Sequence, residues 1–138
     1  MTVRLNPYLN FRDNARAAME FYHSVFGGEL AISTFAEMHA SEDPAEADKI
    51  MHGMLEGDNG IVLMGADMPN SMELPGMAGV NISLSGDDDA TLRGYWDALS
   101  GAGTVIEPLK QAPWGDHFGM CTDQFGVLWM VNIAGGAS

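Results

Sequence analysis

The stretch WGDHFGMCTDQFGVLWMVN, residues 114–132, decides how the chain is read. It spends two of the three tryptophans, Trp114 and Trp129, on a pattern of strand, tight turn and strand. Residues 116–121 and 127–133 have strand composition, and Thr122-Asp123-Gln124-Phe125-Gly126 between them has turn chemistry. Asp123 can accept hydrogen bonds from the backbone that follows it, and Gly126 can take a positive φ without a Cβ penalty. A hairpin this rich in aromatic residues either fills a core or lines a ligand. For the second case, Trp114 and Phe118 suit stacking on a planar molecule, with Asn132 and Tyr8 adding hydrogen bonds. Asp116 and His117 directly follow Trp114-Gly115, so strand alternation turns one of them toward the same face.

Upstream of the hairpin, residues 80–85 read as a short strand. Asp87-Asp88-Asp89 places negative charge at the start of a helix carrying Leu92, Tyr95, Trp96 and Leu99, which ends at Gly101 and Gly103. Residues 104–109 form the next strand. The first half of the chain runs in the same order. Residues 3–11 alternate as a half-buried strand, with Asn6, Tyr8 and Asn10 on one face and Pro7 tolerable only at an edge. Asp13 or Asn14 caps a helix through Ala18, Phe21, Tyr22, Val25 and Phe26, stopped by Gly27-Gly28. Residues 29–38 read as a strand and 39–48 as an acidic loop. Residues 50–56 and 61–65 then make a hairpin about Asn59-Gly60, a strong turn signal. Strand, helix and three strands therefore occur twice, separated by the Pro- and Gly-containing residues 68–79.

At 138 residues with 46% hydrophobic content, the chain is long enough for one domain with a real core. Six Lys and Arg against nineteen Asp and Glu give a net charge of -13, which repels phosphate backbones and anionic membrane surfaces. Neither nucleic acid nor membrane is an expected partner. The single cysteine, Cys121, cannot form an intramolecular disulfide, lacks a basic neighbour and reads as buried and inert. With no basic-plus-apolar leader and no 18-residue apolar run, a cytoplasmic setting is expected. The eleven methionines suit core filling, and their flexibility also suits an adaptable pocket wall.

Two βαβββ modules, the helix segment Phe21-Tyr22-His23-Ser24-Val25-Phe26-Gly27-Gly28 and the final Asp123-Gln124-Phe125-Gly126-Val127-Leu128-Trp129 together resemble the vicinal oxygen chelate superfamily. That group includes glyoxalase I, bleomycin-resistance proteins, fosfomycin-resistance enzymes and extradiol dioxygenases. Asn6-Pro7-Tyr8-Leu9 and Phe118-Gly119 extend the likeness to its PhnB-like branch, often labelled 3-demethylubiquinone-9 3-methyltransferase-like. The chain has no glycine-rich turn after a strand and no βαβ alternation of a nucleotide-type cofactor fold, so methyltransferase chemistry is not expected.

The resemblance implies an α+β fold in one domain over residues 1–138, with tandem βαβββ modules forming a cupped mixed sheet. Module one spans about residues 1–67, the linker about 68–78 and module two about 79–134. It also implies a homodimer and a small organic ligand in the cup, with or without catalysis. The superfamily's metal-ligand positions fall on or beside Asn6, residues 63–65, Asn81 and Met130. Amides and apolar side chains there replace imidazole and carboxylate, so no cofactor is expected and a divalent metal is poorly supported. His52 is in phase with Met54 and Glu56 and is the candidate acid or base of an enzyme. Glu37 is a candidate ligand-binding residue. With His39 and His52 it offers an alternative cluster for a metal-dependent lyase or isomerase of glyoxalase type. A drug- or metabolite-sequestering dimer would use the same cup without catalysis.

Overall fold

The glycine after each helix sits where no side chain fits. Gly28, at φ 79°, follows the first helix, and a Cβ there would collide with the Glu56 carbonyl. Gly103 follows the second long helix, and a Cβ there would collide with the Thr122 carbonyl. Each glycine thus lets its helix end pass against the end of the same strand, counted within its own repeat. The computed structural model describes residues 5–38, 43–69 and 80–135.

The chain divides into two compact units, Met1–Pro75 and Gly76–Ser138. In unit 1 the order is β1 (Tyr8–Phe11), α1 (Ala15–Phe26), β2 (Glu29–Thr34), a short α2 (Phe35–Met38), β3 (Ile50–Glu56) and β4 (Val62–Asp67). Unit 2 has β5 (Ile82–Gly86), α3 (Asp89–Ala102), β6 (Thr104–Gln111), β7 (His117–Thr122) and β8 (Leu128–Ile133). The sheets are ordered β1-β4-β3-β2 and β5-β8-β7-β6, with the first pair of each parallel and the others antiparallel. The architecture is therefore α+β, built from tandem βαβββ units.

Each helix covers one face of its own sheet. In unit 1, Ala18, Met19, Tyr22 and Phe26 of α1 are buried together with Leu9, Phe11, Leu55 and Leu63. Met19 lies over the adjacent Gly53 and Gly65, where Cβ atoms would come within 3.3 Å of its Cγ and 3.1 Å of its Sδ respectively. Unit 2 repeats the device with an aromatic ring. A Cβ at Gly119 would stand 2.8 Å from Trp96, and Trp129, Val131 and Ile133 complete that core. Burying such side chains contributes about 1.5–3 kcal/mol each before the entropy of ordering is counted.

The structure changes several boundaries drawn from sequence. The segment 29–38 is not one strand, because Thr34-Phe35-Ala36-Glu37 forms a capping box that starts α2. Thr34 donates from its N and Oγ1 to Glu37 Oε1 at 3.1 and 3.0 Å, and Glu37 N donates to Thr34 Oγ1 at 3.1 Å. Neither Asp13 nor Asn14 caps α1. Asn14 makes no side-chain cap, while Asp13 pairs with Lys49 Nζ at 2.7 Å. The helix start is served from a distance, where Ala15 N donates to Asp67 Oδ1 at 3.0 Å. Pro7 and the two residues before it lie outside β1, although the Pro7 carbonyl accepts from Met64 N at 3.0 Å.

Other expectations match the structure closely. Asn59 and Gly60 have φ 62° and 76°, which gives the tight turn between β3 and β4. Asp88 caps α3 by accepting from Thr91 N at 3.2 Å. Asp123 accepts from Phe125 N and Val127 N at 2.8 and 3.1 Å and also from Trp129 Nε1 at 2.9 Å, while Gly126 takes φ 85°. Among the described residues no helix is long and apolar enough to cross a membrane.

Candidate functional site

Strand alternation gives each sheet a second face, turned away from its helix. In unit 1 this face carries Tyr8, His52, Met54 and Met64. Tyr8 stands opposite Met64, and Met64 opposite Met54. The rings of Tyr8 and His52 are 6.1 Å apart, so sequence-predicted candidates from β1 and β3 do meet. No described residue hydrogen-bonds the His52 imidazole. Asn6 lines a recess of about 510 Å³ with Leu5, Glu56, Gly57, Gly60, Ile61 and Val62, a lining that includes neither ring.

Glu37 is committed elsewhere, since its carboxylate caps α2. His39 lies outside the described residues. Among those described, no three His, Cys, Asp or Glu side chains come together to hold a metal ion.

In unit 2 the corresponding face carries Phe118, Met120, Met130 and Asn132. Phe118 is the register partner of both Asn132 and Lys110. The Trp114 and Phe118 rings meet edge to face with centroids 5.9 Å apart, a favourable arrangement for two aromatic quadrupoles. Trp114 is nevertheless 63% exposed. The two rings line an apolar cleft of about 420 Å³ with Ile106, Pro113 and Met120, and Lys110 and Glu107 stand on its wall. Sequence reasoning missed Ile106 and Lys110. Both sit on β6, whose register slips twice against β7, so simple alternation does not place them.

Asp116 and His117 differ in hydrogen bonding, although both line one recess. Asn132 Nδ2 donates to Asp116 Oδ2 at 3.0 Å, and Gly135 N donates to Oδ1 at 2.7 Å. Asp116 thereby joins the residue that shares a face with Phe118. The Asn132 bond, then the Gly135 N–H, and more weakly Trp114 and the His117 charge, hold its carboxyl below the ordinary aspartate value. His117 is in phase with Gly119 and Cys121 on the helix-side face. It lines a second recess of about 450 Å³ together with Asp89, Gln111, Trp114 and Asp116. Trp114 borders both recesses.

Cys121 is fully buried beside Asp123. Burial, with the Asp123 charge adding to it, pushes its thiol up to about 11. Thiol-specific reagents should therefore leave the native protein unmodified from neutral to mildly alkaline pH and label one equivalent on unfolding. Absorbance-monitored labelling with and without denaturant checks this.

Paired βαβββ units with equivalent strand orders define a glyoxalase-type fold. The chain belongs to the Glyoxalase/Bleomycin resistance protein/Dioxygenase superfamily, whose model matches residues 4–131. The crystal structure of protein PA1353 from Pseudomonas aeruginosa superposes with a TM-score of 0.82 at 37% identity, covering 98% of this chain and all of that one. A PhnB protein from Bacillus cereus gives a TM-score of 0.76 at 21% identity, over 96% of this chain and 100% of its own. Among curated relatives, protein YjdN of Escherichia coli is 29% identical over 139 residues, covering 94% of each.

By the resemblance, the superfamily's divalent metal would have its ligands on or beside Asn6, residues 63–65, Asn81 and Met130. At or beside its positions the chain offers the amides of Asn6 and Asn81, residues 63–65 with no acid among them, and the thioether of Met130. A borderline or hard divalent ion requires imidazole or charged oxygen, and these groups supply neither.

Proposed function

We propose that the protein is a PhnB-like binding protein that takes up a small aromatic or oxygenated organic molecule without the superfamily's divalent metal. The observation that carries this reading is the unit 2 cleft, about 420 Å³ and walled by Trp114 and Phe118. Its volume lies within the range of small-molecule sites. A 63% exposed indole held edge-on against a second ring contributes little to a core and offers a free face for stacking. Lys110 adds a cation on the cleft wall, although Glu107 lies 3.5 Å from it, so a carbonyl or carboxylate on the ligand would compete for that charge. Asp116 and Asn132 lock each other and fix the strand end beside Trp114. Homodimerisation, implied by the resemblance, belongs to the same reading.

Binding is favoured over catalysis by the state of His52. An acid or base normally has its imidazole oriented by another group, and no described residue supplies one here. The test is a thermal-shift screen of planar aromatic acids and phenols against the chain, with every hit repeated on Trp114→Ala. Loss of one stacking face should weaken a true ligand about tenfold, the equivalent of about 1.4 kcal/mol. Hits that bind the variant equally well would show that this cleft is not the site.

A further inference from the structure

Each unit carries a methionine pair at the same ladder position on the face turned away from its helix. Met54 of β3 is the register partner of Met64 of β4, and Met120 of β7 is the register partner of Met130 of β8. Opposed residues keep their Cβ atoms about 5 Å apart, so two flexible thioether arms can converge on one atom between them.

Among the described residues, the unit 1 pair has an imidazole two residues away on the same face. His52 precedes Met54 by two residues on the same strand, which puts both on one face about 7 Å apart at the backbone. Its imidazole has no hydrogen-bond partner among the described residues, so either ring nitrogen can bind. Tyr8 completes the neighbourhood, opposite Met64 and 6.1 Å ring to ring from His52. In unit 2 the flanking register partners are Ser83 beside Met130 and Glu107 beside Met120. That pair has no imidazole from these positions.

We propose that Met54, Met64 and His52 form a binding site for a soft monovalent cation of the copper(I) or silver(I) class. Thioether sulfur selects such ions without carrying a charge, and imidazole accepts them through a ring nitrogen that carries no proton. The same neutral set is a poor competitor for Zn²⁺, Ni²⁺ or Mn²⁺, which favour imidazole clusters and carboxylates. A chain of net charge -13 also draws cations toward its surface. This site lies wholly within unit 1 and is independent of the Trp114 cleft, so either can fail without the other.

The probe is silver(I), which needs no reductant, titrated into the full chain with methyl-¹³C methionine and followed by NMR. The expected result is one equivalent in slow or intermediate exchange that shifts the Met54 and Met64 methyls and the His52 ring, while Met120 and Met130 stay in place. Met54→Leu and Met64→Leu nearly conserve volume and should keep the fold. Each should lower silver affinity at least tenfold, whereas the Met120→Leu, Met130→Leu double variant should not. Copper(I) presented as its bicinchoninate complex without oxygen should follow the same order. Uptake confined to Cys121, uptake insensitive to both unit 1 leucine variants, or no uptake against the competing chelator would each overturn the assignment.

Discussion

Asp123→Ala is expected to lower the unfolding free energy of the chain by about 4 kcal/mol. Asp123 is 4% exposed and its two oxygens accept three hydrogen bonds, from Phe125 N, Val127 N and Trp129 Nε1. Alanine removes both acceptor oxygens, and with them all three bonds, at once. The Val127 N–H and the indole N–H are then left in a buried setting, at about 1–3 kcal/mol for each unsatisfied donor. Asp123→Asn should fall between the two. It can keep the Oδ1 bonds to the turn, but its amide NH₂ faces the indole N–H, donor against donor. Urea denaturation followed by tryptophan fluorescence separates the three proteins. Equal midpoints for wild type and Asp123→Ala would show that the carboxylate does not hold the hairpin.

Asp67→Ala should cost about 3 kcal/mol through the same physics in unit 1. Asp67 is 5% exposed at the end of β4, and its oxygens accept from Ala15 N and Ile50 N at 3.0 and 2.9 Å. One side chain therefore caps α1 and anchors the start of β3. Its loss orphans a helix N-terminal donor and a buried strand donor together. Hydrogen exchange gives a local readout beside the global midpoint, because protection at Ala15 and Ile50 should fall further than at Leu55 or Leu63. Uniform loss across the sheet, or no loss, would mean that the carboxylate is not the tie.

These two aspartates mark the limit of what sequence reveals. Asp123 was legible as a turn residue because its backbone partners lie two and four residues away. Its bond to the Trp129 indole depends on how the hairpin closes. Asp67 was not legible at all, since its partners lie 52 and 17 residues distant. The helix start next to Asn14 therefore suggested a local cap where the fold uses a remote one. The order of elements and the helix-ending glycines were readable because period, turn residues and positive φ act over a few positions. The helix α2 was also readable in principle, for Thr34 and Glu37 have capping-box spacing, but the apolar run through residues 30–35 reads as continuous strand.

The candidate site divides in the same way. Trp114 meets Phe118, and Tyr8 meets His52, contacts that alternation along one strand does not show. Glu37 does not join them because its oxygen is occupied by the start of α2. The hydrogen bonds of Asp116 with Asn132 and Gly135 span 16 and 19 residues, so strand alternation did not show them. Ile106 and Lys110 required a register that slips.

The proposed function has a small molecule bound in this superfamily fold without the divalent metal. Its most direct test is metal analysis of protein purified without a chelating tag, combined with thermal denaturation in the presence of Mn²⁺, Ni²⁺, Zn²⁺ or EDTA. The account predicts substoichiometric divalent metal and a melting temperature unchanged by any of these additions. One tightly held equivalent that raises the melting temperature by several degrees, and is lost to EDTA, would contradict it, because an ion that binds the native state strongly must stabilise it.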